Sequence, residues 1–297
     1  MPRVLAYVAN YDDATVSVID TVTSAVVATI PVGNGAAGVA IHPDGIRVYV
    51  TNQLSNTVSV INAPTNTIGA TIPVGARPEG IVITPDGAFV YVANQLANSV
   101  SVVDAAAGLA VSVINVGAGP EGIAVAPDGS TVYVGNEFSG TVSVISTASR
   151  SVLRNIHVDN PESLVLTPDG ARLYVSNAFA STVAVVDTPS NNVVTTIPVG
   201  LQPQNVAISP NGAFVYVANQ GVNTVQVIAT ATNTVVAGIP VGVQPEDVTL
   251  APDGTLAYVT NRGSNTVSII DTASNRVTGT IPVGRSPGEA KIGFIRR

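Results

Sequence analysis

One four-residue motif recurs seven times along this chain. Tyr-Val-x-Asn begins at Tyr7, Tyr49, Tyr91, Tyr133, Tyr174, Tyr216 and Tyr258, at intervals of 42, 42, 42, 41, 42 and 42 residues. Self-similarity at such a period marks a repeat architecture, in which each unit buries its apolar face only against its neighbours. The copy at 75–117 shows the internal plan. Short apolar or alternating runs at 80–84, 89–93, 99–103 and 111–116 are separated by Pro85-Asp86-Gly87, a loop at 94–98 and a turn at 104–108. Proline presets φ at the first corner of the turn, and glycine accepts the positive φ that ends it. Period-two runs bounded by turn residues read as strands. Four antiparallel strands per repeat of about 40 residues are the pattern of a β-propeller blade.

The ends of the chain are truncated in a complementary way. Residues 4–10 read as a second strand with no first strand before it, and 288–295 supply an extra first strand after the last Ile-Pro-Val-Gly. One blade built from both ends would close the ring and remove exposed sheet edges. The expected fold is therefore an all-β, seven-bladed propeller forming one domain over 1–297. Its blades would span 34–75, 76–117, 118–159, 160–200, 201–242 and 243–284, with a composite blade of 1–33 plus 285–297. Composition agrees, because 46% hydrophobic residues with only 4% aromatic leave Val, Ile, Leu and Ala to build the core.

At Tyr49-Val50-Thr51-Asn52 and Tyr258-Val259-Thr260-Asn261 the motif is literally YVTN, and Pro-Asp-Gly, Asn-Thr-Val-Ser and Ile-Pro-Val-Gly recur around it. Over essentially its whole length the chain resembles the YVTN family of seven-bladed propellers, typified by archaeal surface-layer proteins and bacterial periplasmic or secreted relatives. The resemblance implies a scaffold or binding role of the surface-layer kind and an extracellular or periplasmic location. A native start at Met1 would instead place the chain in the cytoplasm. Propellers host scaffolds, binders and enzymes alike, so function has to be argued from the site.

Several classes are disfavoured by what the chain lacks. It has no cysteine, and its one lysine, Lys291, and scattered arginines form no basic cluster of the kind that neutralises phosphates. Nucleic acid is therefore not an expected partner. No apolar run reaches the ~20 residues of a membrane span. His42 and His157 are the only near-neutral acid–base side chains of their type, and neither has a serine at nucleophile spacing. Both read as structural.

Residues shared by every blade are expected to build the ring. The seven tyrosines should pack between blades, and the seven asparagines should brace the following loop through bonds to its backbone, a simpler role than a polar ring around a ligand. The aspartates of the Pro-Asp-Gly turns are turn formers. Function should lie where the copies differ. The loops Gly-x-x-Pro-Glu and Asn-x-x-x-Asn open on one side, the top, and rim the central channel. All six glutamates fall there, and this face carries ten acidic against three basic residues, while the net charge is −7. A cleft lined by one sign of charge concentrates counter-ions.

The expected ligand site is formed by Arg77, Glu79, Glu121, Glu137, Glu162, Gln204 and Glu246, with an apolar arc of Leu54, Leu96, Phe138 and Phe179 one loop outward. A small polar or cationic ligand, or a protein partner, would bind a monomer there. No cofactor is called for, but Glu79, Glu121, Glu162 and Glu246 offer the carboxylate oxygens that a divalent cation such as Ca2+ prefers. A plain solvated acidic face, on a repeat array with little ligand specificity, is the simpler alternative. An enzyme reading, lyase, isomerase or hydrolase, would use Glu79, Glu121 and Glu162 as paired acid and base. Lys291 falls in the ring-closing strand, where the other blades carry Ala40, Val82, Ala124, Val165, Ala207 and Thr249. A lysine there is costly unless paired, with a nearby glutamate the expected partner, and it would act either as a closure lock or as part of a channel site.

Overall fold

In the computed structural model, which describes residues 3–296, the chain forms seven four-stranded antiparallel sheets. Six of them follow the chain without interruption. The seventh has the order Pro287–Ile295, Arg3–Asn10, Thr15–Asp20, Ala25–Pro31, so its innermost strand comes from the far end of the sequence. Leu5 lies opposite Gly293, and Tyr7 opposite Lys291, in that closing pair. The innermost strands contact one another around a closed ring, and the strand Pro287–Ile295 touches its neighbours on both sides. All sheets are thereby accounted for by one circular array, as the complementary ends require.

Why these residues fold this way follows from the strand period. The second and third strands of each sheet are buried on both faces, since each sheet is covered by a neighbouring blade on either side. The second strand accordingly reads as a near-continuous apolar run and the third as Val alternating with buried Ser, whereas the outermost strands are mostly exposed. The core is divided into inter-blade seams. One of them joins Tyr49, Val58, Val60 and Ile72 of one sheet to Ile81, Val90, Val92 and Val103 of the next. The seven tyrosines are all buried within such seams, as expected.

The repeated asparagines depart from expectation in their partners. Each sits at the end of its second strand, and its Nδ2 donates chiefly to side-chain hydroxyls of the third strand, not to the loop backbone. Asn52 donates to Thr57 Oγ1 at 3.0 Å and Ser59 Oγ at 2.9 Å, and Asn10 bonds Thr15 and Ser17 in the same way. The reason is register. Asn52 is paired with Thr57, so the hydroxyls five and seven residues on face it across the hairpin. On the opposite side of the molecule the turn aspartates act as expected: Asp86 Oδ1, for example, accepts the Ala88 N–H at 2.9 Å.

Close approach of blades at the channel requires glycine in several inner strands. A Cβ on Gly80 would lie 2.3 Å from the carbonyl oxygen of Glu121 in the next blade, whereas one on Gly238 in an outermost strand would meet nothing within 4 Å. Gly80→Ala should therefore destabilise the protein by roughly 1–3 kcal/mol. Gly238→Ala should be neutral or stabilising by roughly 0.5–1 kcal/mol, because alanine loses less freedom in a strand. Urea unfolding of the two variants checks this, and equal midpoints would contradict the packing at the inner ring.

Candidate functional site

The top loops are built rigidly before any ligand is considered. The last asparagine of each Asn-x-x-x-Asn loop adopts a left-handed conformation, and its side chain reaches the next blade. Asn56 Oδ1 accepts the Arg77 N–H at 2.9 Å, Asn98 Oδ1 that of Gly119 at 3.0 Å, and Asn223 Oδ1 that of Gln244 at 2.8 Å. Asparagine tolerates positive φ because its short polar side chain can bond locally. These bridges hold the rim loop, and the glutamates it carries, in a fixed relation to the preceding blade.

A second set of bridges joins the variable residues to each other. The residue after the repeated asparagine donates to the rim glutamate 26 positions later, in the neighbouring blade. Gln53 Nε2 bonds Glu79, Gln95 Nε2 bonds Glu121 Oε2 at 3.1 Å, and Gln220 Nε2 bonds Glu246 Oε2 at 2.9 Å. Arg77 adds an ion pair to Glu79 at 3.1 Å, and Arg262, in the brace position of its own blade, lies 3.8 Å from Glu246. The third basic residue of this face, Arg285, is paired with Asp13 at 2.6 Å. These bracing glutamines were not among the residues expected at the site. The constant spacing of glutamine and glutamate was the available signal.

The amide brace is present in three blades, while Tyr11, Glu137, Ala178 and Arg262 stand at its position in the other four, and Glu137 alone puts an acid there. With the donor replaced by an acid, Glu121, Glu137 and Glu162 each present a carboxylate oxygen within 4.8 Å of the other two. Beside them a hollow of about 540 Å3 is lined by Glu137, Glu162, Phe179, Leu201 and Gln204. The structure thus brings together the expected rim residues. It leaves Leu54, Leu96, Phe138 and Phe179 exposed outside it, with Phe179 the most so at 77%.

Desolvation dominates the electrostatics here. Burial, reinforced by the neighbouring carboxylates, raises Glu79 to about 8 and Glu289 to about 8. Burial likewise raises Glu121, Glu137, Glu162 and Glu246, and at Glu121 and Glu162 the neighbouring like charges add to it. Asp247 is pushed up to about 6 by burial, against the stabilising bond it accepts from the Ala290 N–H at 2.7 Å. Together with the Glu289 Oε2 contact to the Val39 N–H at 3.4 Å, that bond laces the composite sheet to both neighbours.

Other expectations are placed differently. Lys291 does not sit buried against a glutamate. Its side chain is exposed in the central cavity of about 550 Å3, because the innermost strands wall a channel instead of a filled core. No ion pair forms to it among the described residues, although its charge favours the ionised forms of Asp247 and Glu289. His42 lies on the opposite face, its Nε2 bonded to the Gly87 carbonyl at 2.8 Å, and His157 is on an outermost strand, 3.3 Å from Asp159. Neither reaches the mouth.

Carboxyls with raised folded values make stability fall with pH. Their contribution is complete below the ordinary carboxyl value of about 4.3 and is lost as pH rises through their folded values, here about 6 to 8 for Asp247, Glu79 and Glu289. Thermal unfolding should therefore give its highest Tm near pH 5 and a lower one at pH 9, by several degrees. A Tm that is flat or rises over that range would show the mouth carboxyls to be freely solvated.

The comparisons with known proteins agree with this fold. The family described as "Lactonase, 7-bladed beta-propeller" matches residues 3–109 and 107–237. The chain is similar to a structure of Kuenenia stuttgartiensis hydrazine synthase, at 28% identity over 88% of this chain and 90% of that one, with a TM-score of 0.81. It is also similar in fold to a functionally unknown protein from Desulfotomaculum acetoxidans, at 19% identity over 98% and 99% of the two chains, with a TM-score of 0.87. No curated protein matches significantly. Through the match over residues 3–237, this chain belongs to the seven-bladed β-propeller lactonase family.

Proposed function

We propose that the chain is a binding propeller whose acidic top mouth takes up a cation, with Glu121, Glu137 and Glu162 as the ligands of a hard divalent ion such as Ca2+. The observation that carries this reading is the replacement of the bracing glutamine by Glu137. It converts a satisfied amide–carboxylate pair into three carboxylates within 4.8 Å of one another. Oxygens that share a Ca2+ ion at 2.3–2.6 Å lie at most about 5 Å apart, so the separation suits one ion. Three like charges in a desolvated site otherwise stay partly protonated, and a cation removes that penalty. The exposed Leu54, Leu96, Phe138 and Phe179 offer a protein partner an apolar seat beside the mouth, which is the form that a surface-layer-like adhesive role would take.

Titration calorimetry with Ca2+ at pH 8 tests the reading. Saturable binding is expected, and Glu137→Gln should weaken it at least tenfold. The same variant restores the donor that Gln95 and Gln220 supply elsewhere, so it should unfold at a higher temperature than the parent. No heat with the parent, or equal affinity in the variant, would sink the proposal.

The family match favours a second reading, hydrolysis of a lactone at the same mouth. A carboxylate of the Glu79, Glu121 and Glu162 set would take a proton from water as the oxygen adds to the ring carbonyl. A protonated neighbour would then give its proton to the departing ring oxygen, and raised values near neutrality suit that division of roles. The substrate would be uncharged, since Arg77, Arg262 and Arg285 are each already paired with an acid. A pH-stat assay with δ-valerolactone should then show turnover that Glu121→Gln abolishes. A rate equal to the buffer blank, or unchanged in the variant, would retire this reading.

A further inference from the structure

The rim position after the loop proline, or after Ala36 in the one blade that lacks it, carries Glu79, Glu121, Glu162, Gln204 and Glu246 in five consecutive blades, but Ala37 and Gly288 in the other two. Those two blades are neighbours in the ring, so the missing side chains fall side by side. A cavity of about 160 Å3 opens where they are absent, lined also by Gln53, Glu79, Glu121, Glu246 and Glu289. Its two arginines are already engaged, Arg77 by Glu79 at 3.1 Å and Arg262 by Glu246 at 3.8 Å. What remains is rich in acceptors. Gln53 is 8% exposed, its Nε2 is used by Glu79, and its Oε1 is buried with no partner among the described residues. A buried acceptor left unpaired is costly, and a donor brought by a ligand removes the cost. Glu289 accepts one long bond, from the Val39 N–H at 3.4 Å, and a carboxylate has lone pairs beyond that one.

We infer that this cavity is a subsite for a small primary ammonium ion, whose three N–H donors are taken by Gln53 Oε1 and the carboxylates of Glu79 and Glu289. The inference rests on the reading of the mouth as cation-binding, but its acceptors are set around the gap at Ala37 and Gly288, and of the metal-type cluster only Glu121 reaches the cavity wall. Donor count separates the two ligands. A metal ion needs several oxygens converging on one point, whereas an ammonium needs acceptors spread around it. The gap supplies the second arrangement, since its acceptors come from three different blades. Burial raises Glu79 and Glu289 to about 8, and an entering ammonium favours their charged forms, so its binding releases protons to the buffer near neutrality.

Calorimetry at pH 7 with n-propylammonium chloride, in two buffers of different ionisation heat, is the test. Saturable binding with buffer-dependent heat is expected, and tetramethylammonium, of equal charge but without N–H donors, should bind at least tenfold more weakly. Gly288→Gln would place in the gap the kind of side chain that five blades already carry. A Cβ at Gly288 meets nothing nearer than 3.5 Å, so the variant should fold. It should lose propylammonium affinity at least tenfold while Ca2+ binding at the Glu121 cluster persists. Equal binding of tetramethylammonium, no heat with propylammonium, or unchanged affinity in Gly288→Gln would each overturn the inference. Propylammonium binding by a protein that gives no Ca2+ heat would sink the metal reading and leave this one standing.

Discussion

The antiparallel pairing of Arg3–Asn10 with Pro287–Ile295 is the interaction on which the rest of this structure depends. Each blade buries its two faces only against its neighbours, so an open array would leave one face of each terminal sheet to water. Closing the ring removes both at once and converts seven weak units into one circular core. The cost is placed at the channel, where innermost strands approach so closely that Gly80 has no room for a Cβ beside the Glu121 carbonyl. Close approach also draws the rim glutamates of separate blades toward one another. The acidic mouth is thus a consequence of ring closure.

How the protein manages those carboxylates distinguishes one part of the mouth from another. Where glutamine donates across the blade boundary, as Gln95 does to Glu121, the acid is held and partly satisfied. Where Glu137 replaces the amide, charge accumulates. Where Ala37 and Gly288 replace the acid itself, space accumulates, and Gln53 is left with a free acceptor. One repeated rule and two local departures from it therefore produce three chemically different regions on a nearly uniform ring. Burial then sets their protonation near neutral pH, the range in which a cation or a proton can change the state of the site.

Much of this was legible in the chain before any coordinates. Tyr49, Asn52 and the Pro-Asp-Gly turns announced themselves because the same residue performs the same task in every blade. The acidic top followed from the strand period, which assigns each loop a side. The partners of the asparagines were harder to see, because Ser59 faces Asn52 only once the hairpin register is set. For Lys291 the expected glutamate partner failed for a related reason, although its place in the channel had been one of the two readings. Its position in a strand says that one face is covered, but not that the covering layer is a channel wide enough to hold water.

The sequence by itself determined the number of blades, the strand count in each, the closure of the ring and the face on which acids gather. All of these follow from periodicity, which is a property of one dimension. Only the tertiary structure decided that Glu121, Glu137 and Glu162 converge, that Gln53 reaches Glu79, and that two small residues side by side leave a cavity. Those relations join residues of different blades at the narrow end of the ring. There the distance between side chains depends on how closely the inner strands pack, a quantity that no spacing along the chain records.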